Sequence, residues 1–290
     1  MLWLLIIVLA YFLFSLNNLG DKYLLAGPPK PKTYTFYVSI LGIAVLLLIP
    51  FINFSLPSFN QILLSFLAGA CFVFAIFSFY NGLEYFEASR VIPAIGGIMP
   101  LFTFILVYLF SSGKEFLNLL GLIALFLLIL GSFFITFEKE KKISFKSLPI
   151  SILAAFLFSL GFILSKYVYL SQPFWSGFIL MRVGGFLTAL CFLFFKEIRD
   201  EIFKKKSVFQ KKTGIIYLSN QVLGAGAFIL QNWGINLVPL ASLVFINALQ
   251  GTQYLFLLIL TTIFSSEKII LQKIIAVLFI CAGLAVLAIK

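Results

Sequence analysis

Phe12-Leu13-Phe14-Ser15-Leu16 returns letter for letter as Phe156-Leu157-Phe158-Ser159-Leu160, 144 residues later. At the same offset Lys22-Tyr23 meets Lys166-Tyr167. Ala88-Ser89 pairs with Ala241-Ser242 at an offset of 153. Glu115 and Gly131, sixteen apart, pair with Glu267 and Gly283 at 152. Apolar sequence yields chance matches easily, so no one pair decides anything. Four in the same order, each in the equivalent apolar run, predict an internal duplication. The offset grows because the connection at 196–212 is longer than its first-half counterpart.

The runs that carry these matches fix the solvent. Of 290 residues 62% are hydrophobic and only 11% charged. Soluble domains run nearer half apolar and a quarter charged, so this composition excludes one. A membrane helix needs about 20 mostly apolar residues to cross a hydrocarbon core about 30 Å thick. Ten such runs are predicted: 2–24, 33–52, 61–83, 89–111, 115–137, 148–170, 174–195, 213–237, 241–264 and 268–289. Gly27-Pro28-Pro29, Pro57, Pro173 and Pro239 punctuate them. The first run has no basic residue before it and no small-residue cleavage site, so a retained helix is expected rather than a signal peptide. The fold class is therefore all-α integral membrane, with repeats at 1–147 and 148–290. Five spans per half is an odd number, so the second repeat enters the membrane upside down relative to the first. That is the inverted-repeat plan of secondary transporters, with a site near the midplane between the halves.

The same residues carry a family resemblance. The Ala-Ser starts of the fourth and ninth runs, Pro100 within the fourth, the Phe-Ser-Ser turns at 110–112 and 264–266, and the Glu followed sixteen residues later by Gly resemble an EamA-type member of the drug/metabolite transporter superfamily. The resemblance spans the whole chain and implies a ten-helix carrier of small metabolites. It also implies a cavity among helices of both halves, with the fifth and tenth spans peripheral. Family members often have a proline in both central helices; here Gln253 stands where a counterpart of Pro100 would be.

Charge sets the expected orientation. Seventeen Lys and Arg fall at the end of the bundle away from the N-terminus, including four in 138–147 and seven in 196–212. Lys114, Lys166 and Lys290 fall at the other end. Short basic loops stay in the cytoplasm, so both termini are expected outside the cell membrane, against the usual family orientation. The apolar residues of 196–212 (Ile198, Ile202, Phe203, Phe209) suit either a topology-fixing loop or a short helix on lipid headgroups. The loop is the preferred reading. Nucleic-acid binding is not expected.

Chemistry inside the membrane rests on few residues. The chain has no His, which excludes His-ligated metals and His general bases. Cys71, Cys191 and Cys281 have no metal-site spacing and read as packing. No cofactor or metal is expected. Arg182 lies about 12 Å into the seventh run at 1.5 Å per residue, where a charge is costly and usually faces a cavity or a partner. It reads as an anchor for a substrate carboxylate or phosphate, or as half of an internal pair. Asp21 and Glu84 are the coupling candidates, should protons drive transport; exchange against a counter-substrate needs neither. Uncharged polar residues recur at helical spacing, with Asn81 in the third run, Gln221 and Asn232 in the eighth, and Asn247, Gln250 and Tyr254 in the ninth, while Asn17 and Asn18 fall deep in the first. With Arg182 and the aromatics Trp175 and Trp233 they are expected to line a polar cavity. The alternative is that they only glue helices together.

An embedded enzyme would need a nucleophile, metal or carboxylate cluster; the chain has no His, no paired Asp motif and no acidic cluster within the runs. The expected function is alternating-access transport of a small polar metabolite through the bilayer, by a monomer or a homodimer. A lipid or lipid-linked-sugar flippase of the same architecture is the alternative, followed by a non-transporting membrane protein.

Overall fold

A computed structural model describes residues 2–25, 30–85, 88–115, 117–136, 148–204, 211–265 and 271–289. Among these residues the secondary structure is helical throughout. The helices are α1 (Leu2–Leu25), α2 (Pro31–Leu41), α3 (Phe59–Tyr85), α4 (Ala88–Phe110), α5 (Leu119–Thr136), α6 (Leu148–Ser171), α7 (Phe174–Cys191), α8 (Lys196–Lys204), α9 (Lys211–Leu237), α10 (Leu243–Ala248), α11 (Gln250–Ser265) and α12 (Leu271–Ile289). Six stretches are long and apolar enough to cross a membrane: Leu2–Asp21, Lys32–Phe51, Phe59–Gly82, Pro149–Ser171, Phe174–Phe194 and Gly214–Leu237. Three shorter apolar helices, Ile95–Phe110, Leu119–Gly131 and Ile274–Leu287, stand with them. The chain is a multi-pass α-helical membrane protein.

Two runs expected to be single helices are broken. The second is α-helical only to Leu41; Gly42–Phe51 continues as a 3₁₀ helix with Pro50 inside it. A 3₁₀ run of ten residues is long, since its hydrogen-bond geometry is poorer than an α-helix's. The ninth run splits at Leu249 into α10 and α11. The break lies four residues before Gln253, the position lacking the expected proline.

The 196–212 connection differs from its preferred reading as a loop. Lys196–Lys204 forms α8, whose Ile198 is buried against Phe36, Val73 and Phe192, with Ile202 packed beside it. Its Glu201 carboxylate accepts from the Lys30 backbone N–H at 3.2 Å and from the Thr33 hydroxyl at 2.7 Å. A carboxylate at the positive N-terminal end of α2 is favourable. Lys32 and Glu197 add an ion pair at 3.6 Å. The apolar residues missed as structural are thus what fastens α8 to the bundle. Phe203 remains exposed, and Phe209 lies outside the described residues.

Contacts identify the two ends of the bundle. At the end where α1 finishes and α2 begins, α8 sits on the start of α2. At the opposite end, the Ser55 backbone N–H donates to Ser176 Oγ at 3.1 Å, Gln61 Nε2 donates to the Ser171 carbonyl, and Gln172 Nε2 donates to Ser65 Oγ at 2.7 Å. These bonds tie the start of α3 to the α6–α7 corner. At that same end Lys166 Nζ donates to the Asn236 carbonyl at 2.9 Å, a cation on the last turn of α9 where the helix dipole favours one.

Glycine lets α3 and α7 touch backbone to backbone. A Cβ added at Gly69 would fall on the Met181 carbonyl oxygen, and one at Gly184 would lie 2.5 Å from Phe66 Cα. On α4, by contrast, Gly97 has nothing within 4 Å of an added Cβ. Reciprocal glycines join α5 to α12: a Cβ on Gly131 would meet Ile280, and one on Gly283 would meet Leu128.

Candidate functional site

The crossings leave a cavity of about 480 Å³ in the middle of the bundle, within the range typical of small-molecule sites. Helices from both sequence halves wall it: α1, α2, α3 and α4 from the first, and α6, α7, α9 and α11 from the second. The wall is mainly aromatic and aliphatic, as at Phe14, Phe72, Phe79, Phe158, Phe162 and Phe228. Polar groups interrupt it at a few places.

Arg182 is the cation in that wall. Its guanidinium carbon lies 5.0 Å from the centre of the Phe228 ring, a cation–π contact. It has no hydrogen-bond or ion-pair partner among the described residues, so the five N–H donors of a guanidinium are left for something else. The internal-pair reading therefore finds no carboxylate there. Gly42, where α2 gives way to the 3₁₀ segment, makes room for this side chain: an added Cβ would sit 2.7 Å from Arg182 Nη2. The obstacle is the far end of a flexible side chain rather than backbone. Gly42→Ala is accordingly expected to leave the melting temperature within a few degrees while weakening the binding of an anionic ligand about tenfold. Paired thermal-shift and binding measurements check this; equal losses of stability and affinity would make Gly42 a packing residue only.

At the other end of the cavity Asp21 ties three helices together. Its carboxylate accepts from the Tyr34 hydroxyl of α2 and from Asn220 Nδ2 of α9 at 2.7 Å. Gln221 Nε2 donates to the Tyr34 hydroxyl at 3.3 Å, and the Tyr34 ring meets those of Tyr80 and Tyr217 edge-on at 5.7 and 5.9 Å. Asp21 and Gln221 were expected at the site, but Tyr34 and Asn220 were not. The available signal was the placement of Asn220 beside Gln221 on a helix that an inverted repeat packs against α1.

The remaining expected residues divide. Asn17, Asn18 and Gln250 line the cavity; Asn17 Nδ2 donates to the Asn220 carbonyl at 3.0 Å, and Gln250 Oε1 is buried without a partner. Asn232, Asn247, Asn81 and Trp175 are not in its wall. Asn232 accepts from the Tyr169 hydroxyl at 2.8 Å and donates to the Phe228 carbonyl at 2.9 Å. Asn247 Nδ2 donates to Thr103 Oγ1 at 2.5 Å, bridging α10 to α4. Asn81 Oδ1 is buried and unpaired. Trp175 packs on Trp233 and Phe174. These serve as interhelical hydrogen bonds and packing. The side chains of Tyr254 and Glu84 lie outside the described set. Gln253, noted only as a missing proline, does line the cavity.

The wall has one open stretch. Ala44 from the 3₁₀ segment, and Leu218, Val222 and Ala225 from α9, line the cavity and are also exposed. Val222 is 72% exposed and Leu218 57%.

Comparison with known proteins agrees with this architecture. No curated protein matches the sequence. Twenty-nine chains of known structure match; one, described as a crystal structure of a protein, covers 98% of this chain and 97% of its own at a TM-score of 0.73 and 16% identity. At that identity the likeness shows the fold alone. The model of the EamA-like transporter family matches residues 146–289. On that match over the second half of the sequence, the chain belongs to the EamA-like transporter family of the drug/metabolite transporter superfamily.

Proposed function

We propose that this protein is a secondary carrier of ten spans in two inverted repeats, moving a small metabolite with an anionic group by alternating access. The observation that carries this reading is Arg182, a cation with no ion-pair or hydrogen-bond partner among the described residues, in a cavity walled by both halves.

Packing supports the inverted plan. In such a plan α1 corresponds to α6 and α3 to α9, so the close pairing of α1 with α9 and of α3 with α6 is one contact made twice. The reciprocal glycines Gly131 and Gly283 repeat the pattern across α5 and α12. The departure from symmetry carries function. Helices α3 and α7 are in backbone contact, whereas their counterparts α9 and α2 approach one another at the tyrosine cluster of Tyr34 and Tyr217. A carrier open toward one end has this shape, because each conformer closes one of two equivalent crossings and opens the other. In this reading the looser α2–α9 crossing, at the basic end, is the one that opens, and the charge rule assigns that end to the cytoplasm of the cell membrane.

Asp21 is the coupling residue in this reading. Protonation would remove an acceptor from the Tyr34–Asp21–Asn220 junction and loosen α2 from α9. Asp21→Asn is therefore expected to abolish uptake driven by a pH gradient in proteoliposomes while leaving substrate counterflow within about threefold of wild type. Loss of both would make Asp21 a structural tie. Counterflow of a small anion that vanishes in Arg182→Leu tests the carrier itself. A flippase for lipids or lipid-linked sugars shares this architecture, and the apolar open stretch is the observation in its favour.

A further inference from the structure

The exposed stretch of wall runs from Leu218, about 6 Å from the start of the Gly214–Leu237 span at 1.5 Å per residue, into the depth of the membrane. Val222 is about 12 Å and Ala225 about 16 Å from the start of the Gly214–Leu237 span, at 1.5 Å per residue. Ala44 is about 20 Å along the Lys32–Phe51 span, allowing about 2 Å per residue for its 3₁₀ part. With a hydrocarbon core about 30 Å thick, all three sit in its middle third, where what surrounds the bundle is acyl chain.

Contacts close the stretch above and below. Toward the basic end Tyr34 reaches across from α2 to Tyr217 and Gln221 of α9. Toward the other end Arg182 and Phe178 of α7 meet Phe228 of α9, and beyond them Phe174 and Trp233 meet at 4.6 Å. Between these crossbars α9 and the 3₁₀ segment leave a side window rimmed by alanine, leucine and valine. Directly behind it, against Gly42, sits the guanidinium of Arg182.

Resting on the carrier reading of the cavity, we propose that the transported molecule is an anionic amphiphile held in the bilayer. Its carboxylate or phosphate is drawn to Arg182, while its hydrocarbon chain lies through the window between Ala44 and Val222. Three features select this class. The window opens onto hydrocarbon, so what passes through it must tolerate hydrocarbon. The Phe-rich wall gives a methylene chain the contacts it needs. The unpaired cation gives an anionic head a reason to leave the headgroup layer. A fully water-soluble anion would use Arg182 but gain nothing from the window.

The test uses the full chain in nanodiscs, avoiding detergent, which is itself an amphiphile. Binding of ethyl phosphate and decyl phosphate is compared in wild type, Val222→Trp, Ala44→Phe and Arg182→Leu. Taking each variant against wild type for the same ligand cancels the partitioning of the chain into lipid. Ala44 and Val222 are exposed, so there is room for the larger side chains. Retained ethyl phosphate binding is the control that the bundle tolerates them. Expected are rim-variant affinities within twofold of wild type for ethyl phosphate and at least tenfold weaker for decyl phosphate, with both ligands lost in Arg182→Leu. If rim variants weaken both phosphates equally, or neither, the window is not a route and the proposal falls. If ethyl phosphate binds in an Arg182-dependent way under either of those results, the small-anion carrier reading survives alone. If wild type binds neither phosphate, the anion site at Arg182 falls, and the window proposal falls with it.

Discussion

Arg182→Leu is expected to lose anion binding by about a hundredfold or more, while the ligand-free protein melts no lower than wild type. The two halves of this result have separate causes. Removing the cation from a desolvated ion pair with a ligand costs about 2–5 kcal/mol, and each 1.4 kcal/mol is tenfold. In the empty protein the same guanidinium satisfies no partner among the described residues and has only the Phe228 ring beneath it. Leucine gives up that contact, worth about 0.5–2 kcal/mol. It also removes a charge whose burial without a counter-ion is itself unfavourable. The measurement is a pair of melting curves, with and without a panel of organic acids, phosphate esters, amino acids and nucleosides. Ligand at a hundred times its Kd adds about 2.7 kcal/mol to the stability of a protein that binds it, so the stabilisation is large enough to see vanish. A variant that unfolds easily without ligand would instead make Arg182 a structural residue. A ligand that still stabilises the variant would move the site elsewhere in the cavity.

How much of this was legible in the sequence depends on which physical signal each feature leaves. Long apolar runs report burial in lipid, and the described helices follow them closely: 148–170 was expected where α6 covers Leu148–Ser171, and 61–83 where α3 covers Phe59–Tyr85. Breaks inside runs left a weaker trace. Gly42 gave no warning that the second run tightens to 3₁₀, because its role is to clear space for a side chain 140 residues away. Arg182 was legible, since a charge within a hydrocarbon span is rare and needs an explanation. The amides were only half legible. Helical spacing puts Gln221 and Asn232 on a shared face, but a face about 100° wide meets both the cavity and the neighbouring helix. Gln221 went to the cavity, and Asn232 went to Tyr169. The Tyr34–Asp21–Asn220 junction was hidden because three helices contribute one residue each. The docked α8 was underestimated because a basic loop and a basic amphipathic helix share a composition, and burial of Ile198 alone separates them.

The α3–α7 crossing should be the most intolerant contact in the bundle, and glycine-to-alanine substitutions there are expected to separate by position. At Gly69 the new methyl would fall on the Met181 carbonyl oxygen, and at Gly184 it would sit 2.5 Å from Phe66 Cα. Backbone cannot step aside as a side chain can, so each change forces the helices apart at an expected cost of about 1–3 kcal/mol. At Gly185, one residue on, the nearest atom is Val73 Cγ2 at 3.3 Å, and a small rotation relieves it. Gly185→Ala is expected to stay within about 0.5 kcal/mol of wild type. A static scaffold and a carrier respond differently to this loss. In a scaffold, stability drops and nothing opens. In a carrier the α3–α7 contact belongs to one of two conformers, so a methyl that spoils it shifts the population toward the other. Ser176, fully buried beside Ser55 at that end, reports the difference. The thiol introduced by Ser176→Cys is expected to resist a membrane-impermeant maleimide when the rest of the chain is wild type. Combined with Gly69→Ala, it should react at least tenfold faster. The asymmetry of the sequence gives the shift its direction. The repeat offsets of 152–153 assign Gly69 to Gln221 or Val222, and that of 144 assigns Gly184 to Ile40, so the α9–α2 crossing lacks this pair of glycines. If the proposed alternating access holds, the conformer closed at the basic end is the less tightly sealed of the two, and the empty protein is expected to rest open toward that end. Should Gly69→Ala lower the melting temperature while the introduced thiol stays protected, the crossing would be fixed packing and the moving parts would have to lie elsewhere.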